Sequence, residues 1–116
     1  MSVQKTVGRW GEQAAADYLE KEGYVILARN YRTEHGEVDI IARQENILVF
    51  VEVKTRSSIR YGFPEHSVTP RKRKHILSAA EKYILEHPAY QTWRLDVMAI
   101  DNETGEPRFM HFENVQ

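Results

Sequence analysis

The sequence predicts an α/β protein, a three-layer sandwich around a mixed central sheet of about five strands, ordered helix, three strands, helix, two strands. Three observations carry this. Two stretches repeat apolar residues at helical spacing, while several shorter ones are rich in β-branched and aromatic residues and bounded by turn formers. "ILVFVEVK" (47–54) is apolar on both faces, with Ile47, Val49, Val51 and Val53 on one and Leu48 and Phe50 on the other. Such a strand belongs in the middle of a sheet with helices on both sides. Finally, a helix separates the third strand from the fourth, so those two should be parallel with a right-handed crossover.

Each element has its own local signals. Thr6 is placed to cap a first helix whose stripe is Val7, Trp10, Ala14 and Tyr18, and Gly23 to stop it. "YVILARNYR" (24–32) is the first strand, and "TEHG" turns the chain into "EVDIIAR" (37–43). That second strand and the third make a hairpin about "QEN". Residues 55–69 form a long polar loop, of the kind that carries function in small domains. Thr69-Pro70 opens a second helix reaching about Glu86, with Ile76, Ala79, Ala80, Tyr83 and Ile84 as its buried stripe and Pro88 beyond its end. "TWRLDVMAI" and "PRFMHFENV" are the last strands, turned by "DNETGE". Tyr18, Tyr83 and Trp93 read as core aromatics with a polar handle, and Asp96 as a strand-end or packing residue.

Composition narrows the function classes. A chain of 116 residues, 41% hydrophobic and 28% charged, is expected to fold as one globular domain over 1–116. The absence of cysteine excludes disulfides and thiolate zinc sites, and the five histidines contain no H-x-x-x-H pair. No glycine-rich phosphate loop or nucleophile elbow is present. No apolar run approaches the roughly 18 residues of a membrane span, so the expectation is a cytoplasmic protein without a membrane partner. The net charge of −1 hides an asymmetry. Lys54, Arg56, Arg60, Arg71, Lys72, Arg73 and Lys74 fall within residues 54–75 against one acid, Glu65. Four of these cations sit at the start of the second helix, where they oppose the helix dipole. Phosphate contact explains that placement, and a solvated face is the alternative. Arg56 and Arg60, beside Tyr61 and Phe63, add charge and stacking surface for a nucleic acid.

The charges inside the hairpin are the sharper signal. Glu52 and Lys54 project from one face of the third strand. If the hairpin folds symmetrically about Glu45-Asn46, Asp39 lies opposite Glu52, with Cβ atoms about 5 Å apart. Two like charges so close require a shared proton or a cation, and a hard divalent ion such as magnesium suits two carboxylates and water. The alternative is an ion cluster satisfied by Lys54, without catalysis. A one-residue slip in the turn would send Asp39 to the other face.

"GEVDIIA…VFVEVKTR" resembles the core signature of the PD-(D/E)xK nucleases, whose fold is restriction-endonuclease-like. Nearly the whole chain resembles the small bacterial UPF0102 (YraN-like) family within them, through "GEQAAADYL", "ILARNYR", "YGFPEHSV", the basic second helix and "RLDV". The resemblance implies a DNA nuclease dependent on Mg2+ or Mn2+, in which Asp39 and Glu52 bind the metal and Lys54 is the lysine of the E-x-K element. Val38 stands where the motif's nominal proline would precede Asp39. Glu12 matches the first-helix glutamate of related junction resolvases; a solvated surface glutamate is the other reading. Likeness to those resolvases suggests branched DNA as substrate and a homodimer as its means of symmetric cutting. Two other functions remain open: a non-catalytic nucleic-acid-binding module of the same fold, or a structural partner of a DNA-processing enzyme.

Overall fold

The computed structural model describes residues 3–56, 68–102 and 104–115, with only the backbone described for 3–8 and Arg56. Its elements are α1 (Val3–Lys21), β1 (Val25–Arg32), β2 (Glu37–Gln44), β3 (Ile47–Arg56), α2 (Pro70–Glu86), β4 (Thr92–Asp101) and β5 (Arg108–Phe112). The strands form one sheet in the order β1-β2-β3-β4-β5, antiparallel except for the parallel β3–β4 pair. Element order, mixed sheet and central β3 are those the sequence predicts. The physical cause is the double-faced β3. Val49 and Val51 pack with α1 on one side, and Leu48 and Phe50 with α2 on the other, all fully buried.

Helix α1 differs from expectation in start and rotation. It begins at Val3, so Thr6 lies within the helix rather than capping it. The buried face is Ala15, Ala16 and Leu19, whereas Trp10 is 40% exposed and Ala14 and Tyr18 sit at the edge of the core. Gly11 explains the rotation: a Cβ there would collide with the Thr55 hydroxyl of β3. The small residues turn toward the sheet and let the backbones close up, which leaves no room for Trp10 on that side. Gly23, at φ 94, ends the helix, and the Tyr24 amide donates back to the Leu19 carbonyl at 2.9 Å.

Helix α2 starts as expected. Thr69 caps it, its hydroxyl accepting from the Lys72 amide at 3.1 Å, and Pro70 follows. Ile76, Ala79, Ala80 and Tyr83 are its buried stripe. The turn before β2 presses against it so closely that a Cβ on Gly36 would overlap the His75 carbonyl oxygen. Trp93, expected in the core, is 43% exposed. It stands at the start of β4 with one edge toward Phe50 (centroids 6.1 Å apart).

Asp96 does more than pack. It is fully buried, with Oδ1 accepting from Arg94 Nε at 3.0 Å and the Asn114 amide at 2.9 Å. Its Oδ2 lies 2.7 Å from His111 Nε2. Arg94 also donates to Gln44 Oε1 at 3.0 Å and to the Tyr24 hydroxyl at 2.7 Å. The start of β1, the end of β2, β4 and the segment after β5 are thereby tied at one end of the sheet. Burial alone would raise the Asp96 pKa, but the bonds from His111, Arg94 and Asn114 prevail and hold it below the usual carboxylate value.

Two outcomes follow from this packing. Gly36→Ala is expected to destabilise by about 1–3 kcal/mol, because overpacking against backbone exceeds the few tenths gained from a stiffer unfolded chain. Urea denaturation measures it. Asp96→Asn, which strips Arg94 of its buried counter-charge, should cost about 3 kcal/mol at pH 7. Because the folded pKa is depressed, this contribution is complete above the unfolded value near 3.9 and is lost as pH falls through the folded one. Parent and variant stabilities should therefore converge on acidification.

Candidate active site

The site is built by the hairpin and then by its failure to continue. A two-residue turn at Glu45-Asn46, with Glu45 at φ 53, sets the pairs Gln44↔Ile47, Arg43↔Leu48, Ala42↔Val49, Ile41↔Phe50 and Ile40↔Val51. This is the symmetric register the sequence predicts. The ladder ends at Ile40↔Val51, while β3 runs on beside β4 as far as Arg56↔Asp101. Asp39 sits where the two strands part. Its Oδ2 accepts the Val53 amide at 2.8 Å, taking a donor that the β2 backbone no longer serves.

Glu52 and Lys54 share the face of Leu48 and Phe50, the α2 side. Glu52 is buried at 6% exposure, and Asp39 and Lys54 are partly buried. The Asp39 and Glu52 carboxyls are in hydrogen-bond contact. Burial first, then the Glu52 charge and more weakly that of Glu12, push the Asp39 pKa up to about 7, against the opposing Val53 amide. Asp39 is thereby the carboxyl of the pair whose protonated form is favoured toward neutral pH.

Two lysines complete the cluster, from opposite layers. Lys72 of α2 forms an ion pair with Glu52, Nζ to Oε1 at 2.5 Å, and touches Lys54. Burial, then the bond and charge of Lys72, lower the Lys54 pKa, with Glu52 and Asp39 opposing. For Lys72 burial works the other way from its partners, and the bonds to Glu52 and Lys54 leave its pKa raised. Of the two amines, Lys54 is the one prepared to give up a proton.

The structure brings together Asp39, Glu52 and Lys54, with Glu12 close enough for its charge to act on Asp39. Lys72, expected among the outward cations, is in the site instead. The signal was present in the sequence: it stands four residues before Ile76 and seven before Ala79, on the buried stripe. Arg71 and Lys74 face solvent and Arg73 is half-buried. Arg56 ends β3, and Arg60 lies outside the described residues. Glu37 is an exposed strand-end residue paired with Arg32 at 3.1 Å. Among the described residues, no group of three His, Asp or Glu is gathered to hold a metal. Asp39 and Glu52 offer two carboxylates, which suits an ion such as Mg2+ that keeps several waters.

Comparison with known proteins agrees along most of the chain. The model of "Uncharacterised protein family UPF0102" matches residues 11–100, a span that includes Glu12, Asp39, Glu52, Lys54 and Lys72. A UPF0102 protein of Syntrophomonas wolfei is 42% identical over 97% of this chain and 98% of its own length. Another from Syntrophotalea carbinolica is 44% identical over 97% and 93%, and one from Trichlorobacter lovleyi 46% over 95% and 89%. With its candidate site inside the matched span and its length nearly that of these relatives, the chain belongs to the UPF0102 family.

Proposed function

We propose that the protein is a metal-dependent DNA nuclease of the PD-(D/E)xK kind, with the restriction-endonuclease-like fold, hydrolysing phosphodiester bonds in branched or otherwise structured DNA. One observation carries the reading: Asp39, Glu52 and Lys54 converge where β2 and β3 separate, with the Asp39 pKa pushed up to about 7 by burial and by Glu52. A cluster held this far from its ordinary protonation suits a cation site better than a structural ion pair.

Asp39 and Glu52 would hold Mg2+ or Mn2+, which when bound supplies charge to a phosphoryl oxygen and acidifies water. The remaining work falls to this chain's own groups. Lys54, its pKa lowered by burial and by Lys72, is suited to accept a proton from the attacking water at Nζ. Lys72 stays charged and faces the same space, so it stabilises negative charge building on the phosphoryl oxygens. Glu12 adds negative potential from α1 and favours cation entry. Arg71, Arg73 and Lys74, with Arg56 and Arg60 beyond β3, provide the cationic approach for DNA. A symmetric branch would need two such sites, hence two copies of the chain.

A nucleic-acid-binding module without turnover is the competing reading. The Lys72–Glu52 pair favours it, since that ammonium already neutralises the more buried carboxylate.

Cutting separates the two. Linear, flap and four-way DNA incubated with Mg2+, Mn2+ or chelator should be cleaved only with metal. Lys54→Ala should slow cleavage by about 10²–10³-fold, and Asp39→Asn should abolish it. DNA binding without metal-dependent cleavage would leave the module standing. Stability gives a second readout. The Asp39 pKa is raised on folding, so this group destabilises the metal-free fold increasingly from about pH 4 to about pH 7. In chelator, Asp39→Asn should match the parent at pH 4 and exceed its thermal midpoint at pH 8. Mg2+ should raise the parent's midpoint and not the variant's.

A further inference from the structure

The two flanks of α2 differ in kind. On one, Leu77, Ala80, Ile84 and Leu85 meet Trp93 around a largely apolar hollow of about 350 Å³, where Glu81 is the one charged residue among the described ones. On the other, Arg71, Lys74, His75 and Ser78 face His35 of the β1–β2 turn across a cavity of about 550 Å³ that no carboxylate lines among the described residues. A neighbouring hollow of about 510 Å³ extends this second cavity along the turn, sharing His35 and His75. Of the acids there, Glu37 is paired with Arg32 at 3.1 Å, and Glu34 is an exposed carboxylate 3.8 Å from His35 Nε2. Gly36 sets the width of the cleft, since its lack of a side chain lets the turn rest directly on the His75 carbonyl.

We propose that this cleft binds the phosphodiester backbone of the nucleic-acid strand, at a phosphate flanking the one held in the Asp39–Glu52–Lys54 site. The inference rests on the nuclease reading and deepens it by giving the strand a path. Arg71 and Lys74 supply charge, while His35, His75 and Ser78 supply short donors, the combination that phosphate oxygens take. The distances agree. Ser78 is about 9 Å along α2 from Lys72 at 1.5 Å per residue. Gly36 is about 10 Å along β2 from Asp39 at 3.3 Å per residue. Adjacent phosphates of a strand rise about 3.4 Å along its axis but lie farther apart in space, so the cleft serves a nearby phosphate of the same strand. The strand therefore leaves the site over the β1–β2 turn, and the Trp93 flank stays clear of it.

Binding of labelled single-stranded and duplex oligonucleotides, followed by fluorescence anisotropy in chelator, tests this separately from catalysis. Arg71→Ala combined with Lys74→Ala should weaken binding by about tenfold and reduce the salt slope by roughly 2. His35→Ala and His75→Ala, both exposed side chains, should each weaken it by a few-fold. Arg29→Ala, which removes an exposed cation held by Gln13 on the α1 side, should change neither quantity. Circular dichroism confirms that each variant is folded. If the cleft variants bind like the parent, or if Arg29→Ala loses as much as they do, the cleft is not a phosphate site, whatever the cleavage assay reports. If they weaken binding as described while no cleavage occurs, the cleft stands and the nuclease reading falls.

Discussion

The bond from the Val53 amide to the Asp39 carboxylate is the point on which the site depends. A backbone donor in a sheet must be satisfied, and at Val53 the partner strand has turned away. The aspartate side chain replaces the missing carbonyl and is thereby fixed beside Glu52. One hydrogen bond ends the ladder without an orphaned amide and holds two carboxyls in contact. It also lowers the Asp39 pKa somewhat, although burial and Glu52 outweigh it.

Charge in this molecule is handled in two ways, on the two faces of the sheet. On the α1 side, Asp96 is fully matched: Arg94, His111 and the Asn114 amide saturate it, and its pKa is depressed. That arrangement holds strands together and asks nothing of a ligand. On the α2 side, Asp39, Glu52, Lys54 and Lys72 crowd like beside like as well as opposite beside opposite, and three of them depart from their ordinary pKa in directions set by burial and mutual contact. A buried carboxylate with its partners complete is a structural tie, whereas perturbed clusters of this second kind are where functional sites concentrate. The contrast, rather than depth of burial, is what singles out the α2 face for the proposed site, since the more deeply buried acid is Asp96.

Steric close approach positions these charges. Gly11 lets α1 settle on β3, bringing Glu12 within electrostatic reach of Asp39. Gly36 lets the β1–β2 turn settle on α2, beside the turn of helix that carries Lys72. Both helices are drawn close to the parting of β2 and β3. Each is held by its own buried stripe, so the backbone positions that carry Lys72 and Glu12 are fixed by the core packing.

By itself the sequence determined what is local. The hairpin register followed from a two-residue turn and the alternation of Ile40, Ala42, Val49 and Val51, which fixed Asp39 and Glu52 on one face. The start of α2 followed from Thr69-Pro70, and the centrality of β3 from its two apolar faces. Tertiary packing decided the rest. The rotation of α1 about Gly11, which moved Trp10 outward, depended on the surface of β3, which helical periodicity alone does not contain. The entry of Lys72 into the site joins residues 20 positions apart on α2 and β3, and His111 reaches Asp96 only once β5 pairs with β4, whereas Arg94 and Asp96 already share one face of β4. Spacing along one strand or helix reports which side chains share a face; which faces meet is a property of the assembled core.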